Sequence, residues 1–278
     1  MNHASPAGPR SLQQAAGVLV TGHRPWPLPD APWLNGQTWE SLLFAHWPVP
    51  VSTLRPHVPR SLEIETFDGT AWLGITPFRL ESYRLRGLPP LPGVSSFYEV
   101  NVRTYVTAFD KPGIWFFSLD ASSRAAVAAA RRAYRLPYFH ASMLMSEHER
   151  VTFRSMRRDG ASEAEIEVVY GPSSDDPISP EPGTLEHFLT ERYCLYAEGG
   201  GVLYRAEIHH PPWPLQTAGG DLFTNTMPPP GIELPADEPL MHFAARQDVV
   251  VWPLRAVTAE ARVSTPIVSV AQKPSLAF

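Results

Sequence analysis

The sequence predicts a strand-rich α+β fold, built on one large curved antiparallel or mixed sheet that closes partly into a β-barrel. Three observations lead to this prediction. Segments of alternating apolar and polar residues recur from residue 62 onwards, turn-forming residues separate them, and one long segment has the alanine-rich composition of a helix. No internal repeat of fixed period is visible.

Composition and charge describe one large domain. The chain has 278 residues, of which 44% are hydrophobic, and this is enough for a sizeable core. We expect residues 39–278 to form this domain. Residues 1–38 mix Pro, Gly, Ala and Gln without steady periodicity, so we expect a loose or wrapping N-terminal arm there. The net charge of -5, without clustered Lys and Arg, argues against a nucleic-acid partner.

Cysteine usage and hydropathy predict a cytoplasmic protein. The one cysteine, Cys194, cannot form an internal disulfide, and no charged and then apolar leader opens the chain. No run of about 18 apolar residues is present, so neither a membrane span nor a membrane partner is expected.

The first strand signals follow a proline-rich segment. Alternation at residues 62–67, a turn at Asp68-Gly69 and an apolar run at residues 71–80 predict a β-hairpin. Prolines at residues 86–96 then predict an extended surface loop, which is either a lid or an ordinary connector.

Two strands and the clearest helix come next. Residues 97–105 alternate, whereas residues 114–120 are apolar on both faces and predict a central buried strand. Ser122 or Ser123 is placed to cap the alanine-rich helix, which Pro137 ends.

The middle of the chain predicts a hairpin and a short helix. Residues 151–156 and 164–170 flank a turn and alternate as two strands. A proline-rich loop is expected over residues 171–183, and Thr184 opens a short helix. Arg192, just after that helix, either reaches the interior or forms a bridge on the surface.

The last third shows weaker patterns. Residues 193–197 and 202–209 predict strands on either side of a glycine turn. Prolines beyond residue 210 interrupt the regular pattern until residues 248–254, and a last strand is expected near residues 263–270.

The most informative segment is FYEVNVRTY, residues 97–105. Because side chains alternate along a strand, Glu99, Asn101, Arg103 and Tyr105 share one face, about 7 Å apart, opposite an apolar face. Such a row is suited to binding and protonating a small anion, or it is the water-facing side of an antiparallel sheet. In a closed barrel it points into a cavity, where unpaired charges cost several kcal/mol and therefore pair or bind something.

Motif spacing argues against several other kinds of site. The sequence has no HExxH, CxxC or GxSxG motif, and the three successive glycines at residues 199–201 lie between strands rather than at a helix start. We therefore predict no metal, no nucleophilic triad and no cofactor. We interpret the segments LPPLPG and PPWPL as structural, since both lie inside the folded region. A metal site assembled in space stays open for combinations of His46, His57, His140 and His242.

Several motifs together resemble a known family. The segments SFYEVNVRTYV, GIWFFSLDA, ARRAYRLPYFHASM, FLTERYCLY and HHPPWPLQ, within roughly residues 40–254, are similar to those of the YqjF-like family of uncharacterised bacterial proteins. That family is placed in the acetoacetate decarboxylase-like superfamily. The resemblance implies a cone-like, partly closed β-barrel with few peripheral helices and an internal cavity, and its fold agrees with the fold predicted from the pattern.

The resemblance does not extend to the decarboxylase chemistry. The decarboxylases carry Pro-Lys-Lys, in which the first lysine forms a Schiff base and the second lowers its pKa, but here the same place reads Pro137-Tyr138-Phe139. The two lysines of this chain, Lys111 in a turn and Lys273 near the C-terminus, have no buried setting that would lower an amine pKa. Acetoacetate decarboxylation through a Schiff base is therefore not expected.

Two hypotheses of function remain. In the first, the cavity binds a small carbonyl or carboxylate compound and performs acid/base chemistry as a lyase- or hydrolase-like enzyme, without a Schiff base. In the second, the barrel is a non-enzymatic binding or assembly protein, in which Glu99 and Arg103 form a buried ion pair that fixes the strand register.

The expected partner is a small, anionic molecule, and the oligomeric state stays open. The first hypothesis assigns a proton-transfer role to Glu99 and an anion-binding role to Arg103. The candidate substrate-binding residues are Asn101, Tyr105, Tyr138 and His140.

Overall fold

The computed structural model describes residues 10–160 and 163–257, and this part of the chain carries thirteen strands in one sheet. The helices are α1 (Arg10–Gly17), α2 (Val51–Leu54), α3 (Arg124–Tyr134) and α4 (Leu185–Thr190), with a 3₁₀ turn at Arg55–His57. The strands are β1 (Asn35–Val49), β2 (Glu63–Ile64), β3 (Ala71–Leu85), β4 (Phe97–Ala108), β5 (Lys111–Ala121), β6 (Tyr138–Glu147), β7 (Val151–Arg157), β8 (Glu165–Ile178), β9 (Cys194–Gly199), β10 (Val202–His209), β11 (Leu215–Asn225), β12 (Leu240–Val251) and β13 (Arg255–Ala256).

Nine of these thirteen strands close into a ring. Their order is β5-β6-β7-β8-β11-β12-β1-β3-β4, and β4 pairs again with β5. Strand β5 runs parallel to β6 and to β9, whereas the other described pairings are antiparallel, so the sheet is mixed. The predicted fold class, a strand-rich α+β protein with a large curved sheet, is confirmed.

A second, smaller ring shares five strands with the first. Strand β9 pairs with β5 and β10, and β10 pairs with the far end of β12, which closes a seven-strand ring through β1, β3 and β4. One face of each shared strand therefore points into the nine-strand ring, and the other face points into the seven-strand ring. On β4, Val100 and Val102 pack in the core of the nine-strand ring, and the alternate side chains face the smaller ring.

The interior of the nine-strand ring is filled by side chains. Its core includes buried side chains from five strands: Ile75, Val102, Phe153, Tyr170 and Phe243. Because this interior is packed, the cavity described below lies in the seven-strand ring instead.

A bulge in β1 decides which residues face the smaller ring. Ser41 has φ 51° in the left-handed region, and the pairing with β3 shifts register between Glu40 and Ala45. Because one extra residue reverses the alternation, Trp39 and Phe44 face the same side. The aromatic side chains of Trp39 and Phe44 both pack against Trp213, at centroid distances of 6.0 Å and 4.8 Å respectively.

Two predicted helix starts are confirmed. The Ser123 side chain accepts a hydrogen bond from the Ala126 amide at the start of α3, and the Thr184 side chain accepts one from the His187 amide at the start of α4. At the end of α3, Arg135 adopts the left-handed conformation two residues before Pro137.

The predicted hairpin at residues 62–80 is wrong in its pairing. Strand β2 pairs with β4 rather than with β3, and only one bridge, Phe67 to Thr70, surrounds the turn at Asp68-Gly69. An alternating pattern specifies a strand but not its partner, and a two-residue strand has little pattern to specify either.

Two predicted irregular regions are also wrong in part. Strand β8 continues to Ile178, over most of the expected loop at residues 171–183, and β11 and the first part of β12 lie in the region after residue 210. Residues 226–239, between these two strands, are irregular as predicted. Two prolines that suggested a loop, Pro172 and Pro177, lie where β8 pairs with β11 and the register shifts. The strand expected near residues 263–270 lies outside the described residues.

The N-terminal segment contributes a helix to the fold. Gln14 of α1 donates to Thr38 Oγ1 over 3.1 Å and accepts from Arg84 Nε over 2.7 Å, so α1 packs on β1 and β3. Strand β1 begins at Asn35, and the domain division near residue 38 stays a prediction. None of the helices in the described ranges has the length and apolar composition that a membrane span requires.

Candidate functional site

A cavity of about 370 Å³ lies inside the seven-strand ring. Most of its wall is apolar, and its largest contributions come from β1, β3, β4, β5 and α3. Prominent wall residues are Trp39, Phe78, Phe97, Phe116, Leu119 and Ile208. The polar side chains on this wall are few, so their positions decide what the cavity can hold.

Three residues of the FYEVNVRTY row line this cavity. Glu99, Asn101 and Arg103 lie on its wall, each about 5% exposed. The fourth, Tyr105, is fully buried but is not a wall residue. Its hydroxyl donates to the Leu189 carbonyl over 2.7 Å.

Burial makes Glu99 a weaker acid than an exposed glutamate. The carboxylate Oε2 accepts a hydrogen bond from Tyr138 Oη over 3.2 Å, and Asp120 lies nearby on β5. Desolvation raises the pKa of Glu99 to about 8, the Asp120 charge adds to this rise, and the Tyr138 hydrogen bond opposes it. A carboxyl group with this pKa can both give and take a proton near neutral pH.

Tyr138 lies on the cavity wall as a hydrogen-bond donor. It follows Pro137 at the start of β6, where its carbonyl accepts from Arg131 Nε over 2.6 Å. Burial and the neighbouring Glu99 raise the pKa of the Tyr138 phenol well above its usual range, so the hydroxyl keeps its proton.

Arg103 carries a buried charge that no acidic side chain of the described residues neutralises. Its Nη2 donates to the Leu189 carbonyl over 3.3 Å, and its guanidinium lies 5.1 Å from the centre of the Phe44 ring. Among the described residues, no carboxylate forms a salt bridge with Arg103, and its Nε has no hydrogen-bond partner. A buried, unpaired charge is costly, so this position is suited to an anion.

His46 adds no second positive charge beside Arg103. His46 Nε2 lies 2.6 Å from Tyr105 Oη. Burial, together with the positive charge of Arg103, lowers the pKa of His46 well below its usual range. His46 is therefore neutral near pH 7.

Unpartnered polar atoms continue along the row. Asn101 lies between Glu99 and Arg103 and pairs in register with Thr76 of β3. The side-chain oxygens Asn101 Oδ1 and Thr76 Oγ1 are buried and have no hydrogen-bond partner in the described part of the chain. Buried polar groups without a partner are uncommon, and those on a cavity wall can bond a ligand.

Glu99 and Arg103 do not form an ion pair. They lie four residues apart on one face of β4, a spacing of about 13 Å along the strand. Glu99 bonds Tyr138 and Arg103 bonds Leu189 instead. The ion pair that the second hypothesis predicted is therefore wrong.

Arg192 lies on the cavity wall with its charge already paired. It is 5% exposed, forms a salt bridge with Glu65 and donates from Nε to the Phe188 carbonyl over 2.7 Å. Of the two alternatives for Arg192, the structure has the interior position, because the turn after α4 directs this side chain inward.

His140 does not extend the site. The His140 amide donates to Asp159 Oδ1 over 2.7 Å, and the residue is not part of the cavity wall. Across the described ranges, no group of three or more His, Cys, Asp or Glu side chains is placed to hold a metal ion.

The described lysine lies away from the cavity. Lys111 pairs with Glu207 over 3.0 Å and lies 4.9 Å from the centre of the Trp26 ring, whereas Lys273 lies outside the described residues. Tyr138, which lines the cavity, belongs to the Pro137-Tyr138-Phe139 segment, where the decarboxylases carry Pro-Lys-Lys.

Two wall residues were missed by sequence reasoning. Trp213 donates from Nε1 to the Thr190 carbonyl over 2.9 Å, and His210 stacks on Tyr193 at 4.8 Å. Both belong to the HHPPWPL segment, whose prolines favoured a purely structural interpretation. The resemblance to a known family was the one signal that marked this segment.

The fold is shared with solved structures. An acetoacetate decarboxylase from Legionella pneumophila matches with a TM-score of 0.58 at 14% identity, over 93% of this chain and 98% of that chain. An acetoacetate decarboxylase-like enzyme from Sphingomonas wittichii RW1 matches with a TM-score of 0.56 at 11% identity, over 84% and 97%. The enduracididine biosynthesis enzyme MppR, in complex with pyruvate, matches with a TM-score of 0.54 at 12% identity, over 85% and 94%. At these identities the likeness shows the fold alone.

Sequence comparison identifies the family. The uncharacterized protein YqjF of Bacillus subtilis (strain 168) is 46% identical over 229 residues, which cover 82% of this chain and 94% of that protein. The model of the DUF2071 family, described as an uncharacterized conserved protein, matches residues 36–248. The chain therefore belongs to the DUF2071 family, is YqjF-like in sequence and has the acetoacetate decarboxylase-like fold.

Proposed function

We propose that the cavity of the seven-strand ring binds a small compound with a carboxylate or carbonyl group, and that Arg103 holds its negatively charged end. The observation that carries this proposal is the buried Arg103 guanidinium, which lines a cavity of about 370 Å³ and forms no salt bridge within the described part of the chain. A bound carboxylate would supply the missing negative charge and a partner for Nε.

The same cavity supports acid/base chemistry at Glu99. Its pKa of about 8 allows proton exchange near neutral pH, and Tyr138 orients its carboxyl group through a hydrogen bond. No lysine of the described residues lines the cavity, which favours a lyase- or hydrolase-like reaction without a Schiff base. Asn101 Oδ1 and Arg103 stand further along the same wall, where they would position the substrate.

Binding is tested by a thermal-shift screen of small oxo- and hydroxy-carboxylates. A ligand at 100 times its Kd adds about 2.7 kcal/mol of stability, which raises Tm by roughly 5 °C or more for a protein of this size. We expect at least one compound to stabilise the wild type and not Arg103→Met. The matched control is Arg60→Met, at an exposed arginine away from the cavity wall.

Two results would contradict the proposal. One is a panel in which no compound shifts the wild type, and the other is a shift of equal size in Arg103→Met. Turnover is assayed separately on any compound that binds. Activity that survives in Glu99→Gln would remove the role of Glu99 in proton transfer, and binding without turnover would support the non-enzymatic alternative.

A further inference from the structure

We infer that the ligand of this cavity is a long monocarboxylate with an apolar alkyl or aryl body, bound with its carboxylate at Arg103 and its body extending past Glu99. The inference rests on the proposed anion site at Arg103 and defines the class of compound that fits it. Four features of the described residues support it: the charge balance, the spacing of the polar groups, the composition of the wall and the nature of the cavity mouth.

The charge balance favours a single negative charge on the ligand. Two guanidinium groups lie on the wall, but Arg192 is already paired with Glu65. His46 is neutral, and Glu99, with its pKa of about 8, is mostly protonated at pH 7. Arg103 is thus left as one net positive charge, which a monoanion neutralises and a dianion exceeds.

The spacing of the polar groups favours a long ligand. Arg103 and Glu99 stand about 13 Å apart along one strand face, with Asn101 between them. A two- or three-carbon acid bound at Arg103 is too short to reach the Glu99 carboxyl group. An extended alkyl chain of about ten carbons spans this distance.

The wall between these groups is apolar. Ile114, Phe116 and Leu119 of β5 face it from one side, and Trp39 and Phe78 face it from the other. Each methylene buried there gains about 0.8 kcal/mol from leaving water. A small polar acid would leave this surface in contact with water.

The end of the cavity beyond Glu99 has an apolar rim. Phe97 and Val94 precede Glu99 along the chain, and Val94 is exposed while it lines the cavity. Opposite them, α3 presents a stripe of alanines at intervals of four residues, including Ala125 and Ala129, which are exposed and line the same cavity. An alkyl or aryl body would pass this rim without meeting a charged side chain on the wall.

A series of unbranched monocarboxylates from acetate to decanoate tests the inference, with Kd measured by titration calorimetry at pH 7. We expect the affinity for the wild type to rise about fourfold with each added methylene, up to the length that fills the cavity. We expect octanoate to bind more tightly than the dicarboxylate suberate, and all of this binding to weaken strongly in Arg103→Met.

A pair of substitutions in α3 tests the position of the ligand body. Ala129→Leu adds bulk at the rim, whereas Ala128→Leu adds the same bulk to an exposed alanine of the same helix that does not line the cavity. We expect Ala129→Leu to weaken binding of octanoate and decanoate and to leave butyrate unchanged. Ala128→Leu should bind every acid as the wild type does.

The outcomes separate this inference from the proposed function. Butyrate or suberate binding as tightly as octanoate, with dependence on Arg103, would overturn the long monocarboxylate and leave the anion site standing. Equal effects of Ala129→Leu and Ala128→Leu on octanoate would overturn the position of its body. If no acid in the series binds, or if binding is unchanged in Arg103→Met, the anion site itself fails.

Discussion

Tyr138 Oη donates a hydrogen bond to Glu99 Oε2 over 3.2 Å, and both residues line the same cavity. The pair joins strands that are 39 positions apart in the sequence. Burial raises the pKa of both groups, so the Tyr138 phenol stays protonated and the Glu99 carboxyl group is a weaker acid than usual. Proton exchange near neutral pH is therefore available at one end of the cavity, while the Arg103 charge lies at the other.

The raised pKa of Glu99 predicts a pH-dependent stability. The folded protein binds more protons than the unfolded chain between the ordinary value of 4.5 and about 8, so the free energy of unfolding falls as pH rises through this window. The slope from this group is at most about 1.4 kcal/mol per pH unit. Glu99→Gln does not titrate, so we expect it to gain stability relative to the wild type from pH 5 to pH 8.

Urea denaturation of both proteins at several pH values measures this difference, in which other titrating groups cancel. A difference between Glu99→Gln and wild type that stays flat from pH 5 to pH 8 would show that the carboxyl group has an ordinary pKa.

We expect substitution by methionine to affect the stability of the protein differently at Arg103 and at Arg157. Arg157 forms a buried salt bridge with Asp120 at 2.8 Å, so Arg157→Met leaves a buried carboxylate unpaired and should cost about 3–5 kcal/mol. Arg103 has no acidic partner among the described residues. Arg103→Met removes an unpaired charge, and we expect it to leave the stability of the ligand-free protein unchanged or raised.

Denaturation in urea compares the two variants directly. A loss of stability in Arg103→Met as large as that in Arg157→Met would mean that Arg103 serves the fold rather than a ligand.

Gly113 allows β5 and β9 to approach where the seven-strand ring closes. A Cβ atom at this position would lie 2.7 Å from Cys194 Sγ and from Tyr196 Cε2, and 2.9 Å from the Cys194 carbonyl oxygen. We expect Gly113→Ala to cost roughly 1–3 kcal/mol because the strands must separate. Gly22 has open space around it, so Gly22→Ala is the control and should be neutral or slightly stabilising.

Thermal and urea unfolding of these two variants provides the measurement. Equal stability of Gly113→Ala and wild type would show that β9 is not held against β5 at this point.

The lowered pKa of His209 predicts that the protein loses stability in acid. Burial lowers its pKa to about 4, and its Nε2 lies 3.0 Å from the Gly17 carbonyl oxygen. The unfolded chain takes up a proton near pH 6.5, whereas the folded protein resists until about pH 4, so stability from this group is lost as pH falls through this window. Relative to His209→Gln, the wild type should lose stability from pH 6.5 to pH 4. A constant difference between the two proteins over that range would contradict the burial of a neutral histidine.

Local patterns predicted the parts of the fold that depend on neighbouring residues. The alternation in FYEVNVRTY placed Glu99, Asn101 and Arg103 on one face because side chains in a strand alternate regardless of its partners. Ser123 was predictable as a cap for the same reason, since its hydrogen bond reaches only Ala126.

Contacts between distant segments could not be predicted in this way. The pairing of Asn35 with Val251 joins positions more than 200 residues apart, and no local pattern specifies it. The bulge at Ser41 needs a positive φ at a residue other than glycine, which composition does not signal. Arg192, on the cavity wall, pairs with Glu65, and that pairing is also non-local.

The most direct test of an anion site at Arg103 is titration calorimetry with the most strongly stabilising carboxylate from the thermal-shift screen, on wild type, Arg103→Met and Arg60→Met. Removing one partner of a buried charge pair costs 2 kcal/mol or more, so we expect the Kd for Arg103→Met to rise by at least about thirtyfold. Arg60→Met should bind as the wild type does. Equal Kd values for all three proteins would contradict the assignment of the cavity as a carboxylate site.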